Sequence, residues 1–447
     1  MRAMPVTSAA LRTVATVCLS LGAFGTPQWL SAGTADGLAG RLILGYQGWF
    51  GCPEDYAGNH RWQHWVIQTE ETNSPTPDNI RVDLLPLPAG VREQDLCRTE
   101  LHAADGTPVW LFSSQNEQLV LTHFRWMAQH QIDGVAVQRF IGIIDDRPDN
   151  PQGRARSDHM IGNVRAAAEA TERVFFIAYD VSGAPPETLI TDIRRDWQHL
   201  SGELGVTSST SYLRLRGKPI LELWGFGFAD RPGKPAEVAQ LIADLKQGRH
   251  GLQAAVLIGG TPTNWRTLNG DSQPDPRWAD IYRSYDVISP WSVGRFRDDA
   301  GADAFLEQHV LPDLAETRRL GIGYLPVIFP GFSWYNLQTR RGQPQRAILN
   351  EIPRRCGRLL WRQVTNLLGS GVNMLYGAMF DELDEGTAMM PAVTRADRLP
   401  SGSRMLYLNQ DGCSLPSDWY LRVTGAAADF LRRAAAPPRQ LDAVLKP

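Results

Sequence analysis

The chain is short of cysteine, has no long apolar run and carries no excess of either charge, and each shortage excludes something. Only five cysteines stand among 447 residues. No two have C-x-x-C spacing and no histidine sits at ligand spacing from them, so no zinc motif is present and no metal is expected. Lys and Arg total 45 against 48 Asp and Glu, a net charge of -3. Without a basic field, nucleic acid is not an expected partner. The apolar run from Thr13 to Phe24 is too short to span a bilayer comfortably, so no membrane span is expected.

That run is nevertheless informative. Arg2 and Arg12 precede it, no acidic residue occurs before Asp36, and Ala23 with Gly25, or Gly33 with Ala35, offer small-residue cleavage sites. Residues 1–35 therefore read as a signal peptide and 36–447 as a secreted or periplasmic chain; a buried N-terminal helix is the other reading. Cleavage removes Cys18 and leaves Cys52, Cys97, Cys356 and Cys413, an even set compatible with two disulfides in three possible pairings.

Short apolar runs recur along the rest: Leu42–Trp49, Val135–Phe140, Val174–Val181, Pro219–Gly225, Ala254–Gly260, Asp286–Trp291, Tyr324–Gly331 and Asn373–Glu382. Their continuous apolarity suits strands buried on both faces. Amphipathic segments such as Glu117–His130, Val238–Lys246, Ala304–Leu320 and Arg358–Leu368 precede strands by short turns, the first opening with a capping box from Ser114 to Glu117. Eight such units predict an α/β fold, a (β/α)8 TIM barrel forming a single domain with a long loop after strand 1, from Phe50 to Asp133. An open doubly wound sheet has the same signature. A helix past Ser417 is expected to pack on the barrel.

A parallel barrel gathers its site at the carboxyl ends of the strands. The polar and aromatic residues there are Tyr46, Gln47 and Trp49, Gln138 and Arg139, Tyr179 and Asp180, Glu222 and Trp224, Trp291, Trp334 and Tyr335, then Asp381, Glu382, Asp384 and Glu385. His64 and Trp65 join them from the long loop, while Asp158 and His159 read as a helix-start capping pair. Carboxylates among flat rings suit a sugar, whose ring faces stack on Trp while its hydroxyls seek charged acceptors. With 14 tryptophans in the chain, most must serve packing. FDELDEGT, Phe380–Thr387, sets four carboxylates within five residues directly after an apolar run. Like charges this close raise the pKa of at least one carboxyl, which prepares a general acid for neutral pH. A calcium loop fits poorly, because Leu383 stands where an oxygen ligand is needed.

Glu382-Leu383-Asp384-Glu385-Gly386-Thr387 resembles the E-W-H-E-G-T segment of glycoside hydrolase family 99, the endo-α-mannosidase family. Tyr46 with Trp49, and His64-Trp65, are similar to that family's opening strand and its following His-Trp pair. The chain also resembles bacterial relatives of families 71 and 99 that begin GYQGWF and are often labelled xylosidase/arabinosidase. The resemblance implies a retaining glycosidase in which Glu382 assists the substrate's own 2-hydroxyl, through a 1,2-anhydro sugar, and Glu385 is general acid and then base. Leu383 and Asp384 replace the family's Trp and His, so mannose specificity does not carry over. The expectation is a monomeric enzyme that needs no cofactor, cleaves a polysaccharide or glycan with Glu382 and Glu385, and binds it through Tyr46, Trp49, His64, Trp65, Gln138, Arg139, Tyr179, Asp180, Trp224, Trp291, Trp334, Tyr335, Asp381 and Asp384. The rivals are a carbohydrate-binding protein on the same barrel, and an inverting enzyme with Asp180 or Glu222 as base.

Overall fold

Eight of the apolar runs become parallel strands: β1 Leu42–Tyr46, β2 Gly134–Phe140, β3 Val174–Asp180, β4 Lys218–Trp224, β5 Val256–Thr261, β6 Val287–Pro290, β7 in two pieces, Gly323–Tyr324 and Val327–Ile328, and β8 Leu375–Gly377. The computed structural model describes residues 37–56, 60–67, 74–144 and 152–446; the expected signal peptide lies outside them. Each strand pairs with the next in sequence, and β8 returns to β1 with Leu375 opposite Leu42. Leu325 and Pro326 interrupt β7, because proline has no N–H to give a ladder. The first piece pairs with β6 and the second with β8, and Leu325 N donates to Ile288 O while Pro326 O accepts from Tyr376 N. The ring closes, which decides for the barrel over the open sheet.

Helices form at three of the four segments read as amphipathic, while the one read as Ala304–Leu320 starts earlier, at Asp299, and passes through a wider turn at Leu306–Val310. The helices that bear on the barrel include α1 Glu117–Gln129, α2 Gly153–Thr171, α3 Leu189–Gln198, α4 Pro235–Gln247, α5 Arg277–Arg283, α6 Leu311–Leu320, α7 Arg358–Gly369 and α8 Trp419–Arg432. The expected cap of α1 is one to correct. Asn116, not Ser114, is the N-cap, its side chain accepting from Leu119 N at 3.0 Å, while Ser114 is fully buried two residues earlier. Helix α8 buries Trp419, Leu421, Val423, Ala427 and Leu431, as expected of a tail that packs on the barrel.

The excursion after β1 holds α1 and a hairpin of Cys97–His102 with Pro108–Leu111. Of the three possible cysteine pairings the fold uses Cys52–Cys97 and Cys356–Cys413. The first fastens the hairpin to the chain leaving β1, the second fastens the start of α7 to the segment before α8. No helix among the described residues is long and apolar enough to cross a membrane.

Candidate active site

The strand register sorts residues at the mouth of the barrel into layers. Gln138, Ala178 and Glu222 lie opposite one another across β2, β3 and β4, and one step further along, Phe140, Asp180 and Trp224 form the next layer. Alternate residues of a strand point to opposite faces, so Gln138, Phe140, Asp180, Glu222 and Trp224 enter the barrel while Arg139 and Tyr179 leave it. Trp224 crosses the face of β5, where Gly260 leaves room: a Cβ at 260 would sit 2.3 Å from the indole.

Above these layers the chain leaving β8 folds into a turn. The strand was expected to run to Glu382, but it ends at Gly377, because the chain then spends its hydrogen bonds on an enclosed loop. Phe380 N donates to Gly45 O, Leu383 O accepts from Asp83 N and Leu84 N, and Glu385 O accepts from Ser333 N. Asp381 is fully buried and accepts from the backbone N–H groups of Gln47 (2.7 Å) and Gly48 (2.9 Å). Gly48 has φ +59°, a conformation that suits glycine, and this places both N–H groups on one carboxylate. Gly386 closes the turn with φ +58°.

The acidic turn thus presents three carboxylates to an open cleft of about 450 Å³. Glu382 is almost wholly buried, its Oε2 accepting from Gln47 Nε2 at 2.6 Å and its Oε1 from the backbone N–H of Asp384 (3.1 Å) and of Glu385 (3.2 Å). Burial, then Asp384 and Glu385, push its pKa well up. Glu385 has no hydrogen bond to its carboxyl among the described residues, and burial with the neighbouring Asp384 charge pushes it up to about 7. Asp384 goes the other way. Burial alone would raise it, but Arg81 at 2.5 Å and the nearby His64 hold it below its ordinary value. His64, 3.8 Å from Asp384 and with φ +61°, is itself pushed down to about 4 by burial, which leaves a neutral ring.

Opposite stand Asp180, raised to about 6 by burial and accepting from Ser182 N at 2.7 Å, and the half-buried Trp224 and Trp291, edge to face at 5.3 Å. Trp334 completes the aromatic lining. Trp49 reaches the cleft, but His64 covers one face at 4.0 Å and Phe140 stacks at 5.2 Å, so it offers an edge and not a stacking surface. Gln138 donates to Tyr376 Oη at 3.0 Å on the floor. Glu222 lies one layer below, outside the cleft lining, pushed up to about 8 by burial and Asp180.

Six of the expected binding residues are placed elsewhere. Tyr46 is buried with its hydroxyl 3.0 Å from His123 Nδ1, Trp65 donates to Phe112 O beneath the loop, and Tyr335 turns out to Arg404. Arg139 and Tyr179 both meet Asp196 between barrel and helices, Asp158 pairing with Arg139 there as well. Asp381 stands behind the cleft and fastens the loop. Sequence reasoning missed Arg81, Arg231 and Arg341 in the lining. Arg81 and Arg341 come from segments with no strand-end signal, and Arg231 lies seven residues past the end of β4.

A closed ring of eight parallel strands with carboxylates and tryptophans at its carboxyl end is a (β/α)8 barrel with its cleft where such barrels build their sites. The structure of the GH99 endo-alpha-mannosidase from Bacteroides thetaiotaomicron matches this chain with a TM-score of 0.61 at 17% identity, over 89% of this chain and 99% of that one. A GH99 endo-alpha-mannosidase in complex with BIS-TRIS-Propane matches at 0.60 and 18%, with the same coverage. No protein-family model and no curated protein matches the sequence. The chain therefore has a GH99-like fold, as the E-L-D-E-G-T segment implied.

Proposed function

We propose that the chain is an exported, retaining glycoside hydrolase acting on a polysaccharide or glycan, with Glu382 assisting the substrate's 2-hydroxyl and Glu385 as general acid and then base. The observation that carries the reading is the contrast between two glutamates of one turn. Glu382 receives three hydrogen bonds and Glu385 none among the described residues, while burial and the Asp384 charge raise both. Burial and the neighbouring charges oppose ionisation of Glu382, but the hydrogen bonds that converge on it favour its ionised form, while Glu385, pushed up to about 7, keeps a proton near neutral pH. Glu382 is then the base and Glu385 the acid. The 2-oxygen attacks the anomeric carbon as its proton passes to Glu382, and the bond to the leaving oxygen breaks as Glu385 protonates it. Water, losing its proton to Glu385, then opens the 1,2-anhydro ring while Glu382 returns its proton to the 2-oxygen. Two inversions give net retention. Export is supported by the two disulfides, which persist in oxidising compartments.

Incubation with α-mannans, glucans, arabinans and xylans, beside a Glu382→Gln/Glu385→Gln double variant, tests the reading. Product from the native protein alone is expected, and NMR of the first product should show the starting anomer. A blank panel with glycan bound equally by both proteins would make this a binding protein. An inverted anomer would move the base to Asp180 on the opposite wall.

A further inference from the structure

The reaction uses two glutamates and an aromatic wall, and it leaves one cation of the cleft without a task. Arg341 directly follows the short helix Tyr335–Arg340. Trp334 just before that helix, Leu337 within it and Arg341 just after it all line the cleft. The other two arginines there are engaged. Arg81 is held by Asp384, and Arg231 by Ser182 Oγ at 2.9 Å and Asp230 at 2.5 Å. Among the described residues the Arg341 guanidinium has no hydrogen-bonded counter-charge, only the longer-range fields of Asp384 and Glu385 against the repulsion of Arg81.

Arg341 is exposed at the rim of the cleft, where its N–H donors are free to exchange water for a ligand's oxygens. A planar fork of N–H donors fits the paired oxygens of a carboxylate, sulfate or phosphate. Asp384 does not fill that role, because Arg81 already holds it. Arg231 adds positive field from the other wall, its guanidinium 5.8 Å above the Trp224 ring, where it too acts on Glu385.

We propose that the glycan accepted by this cleft is acidic, and that its carboxylate, sulfate or phosphate substituent is received by the Arg341 guanidinium on the Glu385 side. The proposal rests on the glycosidase reading and names its substrate class. It is tested by calorimetric binding to the Glu382→Gln/Glu385→Gln variant, which measures recognition without turnover. The ligands are matched neutral and charged oligosaccharides: plain, uronic-acid-bearing, sulfated and phosphorylated.

One charged series is expected to bind at least about tenfold more tightly than its neutral counterpart, with the preference shrinking at high salt. Adding Arg341→Gln should abolish the preference, and Arg341→Lys should keep part of it; a melting curve for each variant confirms folding. Equal binding of neutral and charged glycans, no binding by any charged one, or a preference that survives Arg341→Gln overturns the proposal. The native protein's product release decides the enzyme reading separately. Cleavage of neutral glycans without charge preference sinks this proposal alone, and charge-selective, Arg341-dependent binding without any product sinks the glycosidase alone.

Discussion

Glu382 and Glu385 differ less in identity than in what surrounds them, and that difference is open to test. A Glu385→Ala variant should lose most activity on substrates with natural leaving groups yet keep much of it where the leaving group needs no proton; equal loss on both would remove Glu385 from the acid role. Asp384 carries a second expectation. Its charge is buried against Arg81, so Arg81→Ala strands it at a cost of roughly 3 kcal/mol, read as a drop in melting temperature. Arg81→Ala with Asp384→Asn should recover most of the loss. The same drop in single and double variants would mean that the pair is not what Arg81 supplies. Neither partnership is legible in the sequence, because 303 positions separate Arg81 from Asp384.

At the scale of elements, all eight apolar runs proved to be strands, since burial on both faces leaves a continuous apolar signal that side-chain alternation does not blur. The alternation itself was harder to read. Arg139 and Tyr179 sit at the right strand ends but on the wrong face, and a run apolar on both sides gives no clue to which face is inward. The loop after β1 works with the acidic turn as one unit, joined by Asp381 to the N–H groups of Gln47 and Gly48. Gly48→Ala forces a non-glycine into φ +59° and brings a Cβ within 2.6 Å of Met160 Sδ, a cost on the order of 1–2 kcal/mol. It should lower the melting temperature and also activity, because Gln47 grips Glu382 from this loop. Unchanged activity in a folded Gly48→Ala protein would show that the loop does not position the glutamate.

The whole molecule keeps several carboxyls dry at the mouth of the barrel, and this sets how its stability responds to pH. Glu222 titrates at about 8 in the fold against 4.5 as its ordinary value, so the folded state binds the extra proton between those limits. Its contribution to stability is full below pH 4.5 and is lost as pH rises through about 8. Asp180, Asp381 and Glu385 are shifted the same way. Glu222→Gln should therefore lose less melting temperature than the native protein between pH 5 and 8.5, and parallel losses would show that Glu222 does not titrate in that window. The sequence by itself determined the order of the strands, several of the helices, the number of cysteines available to pair and the acidic turn, because periodicity, counts and local clusters are properties of neighbours along the chain. Only the tertiary structure decided closure of the ring, the cysteine pairing, which strand-end residues enter the cleft and where three arginines meet the carboxylates, because each depends on segments brought together from far apart in the chain.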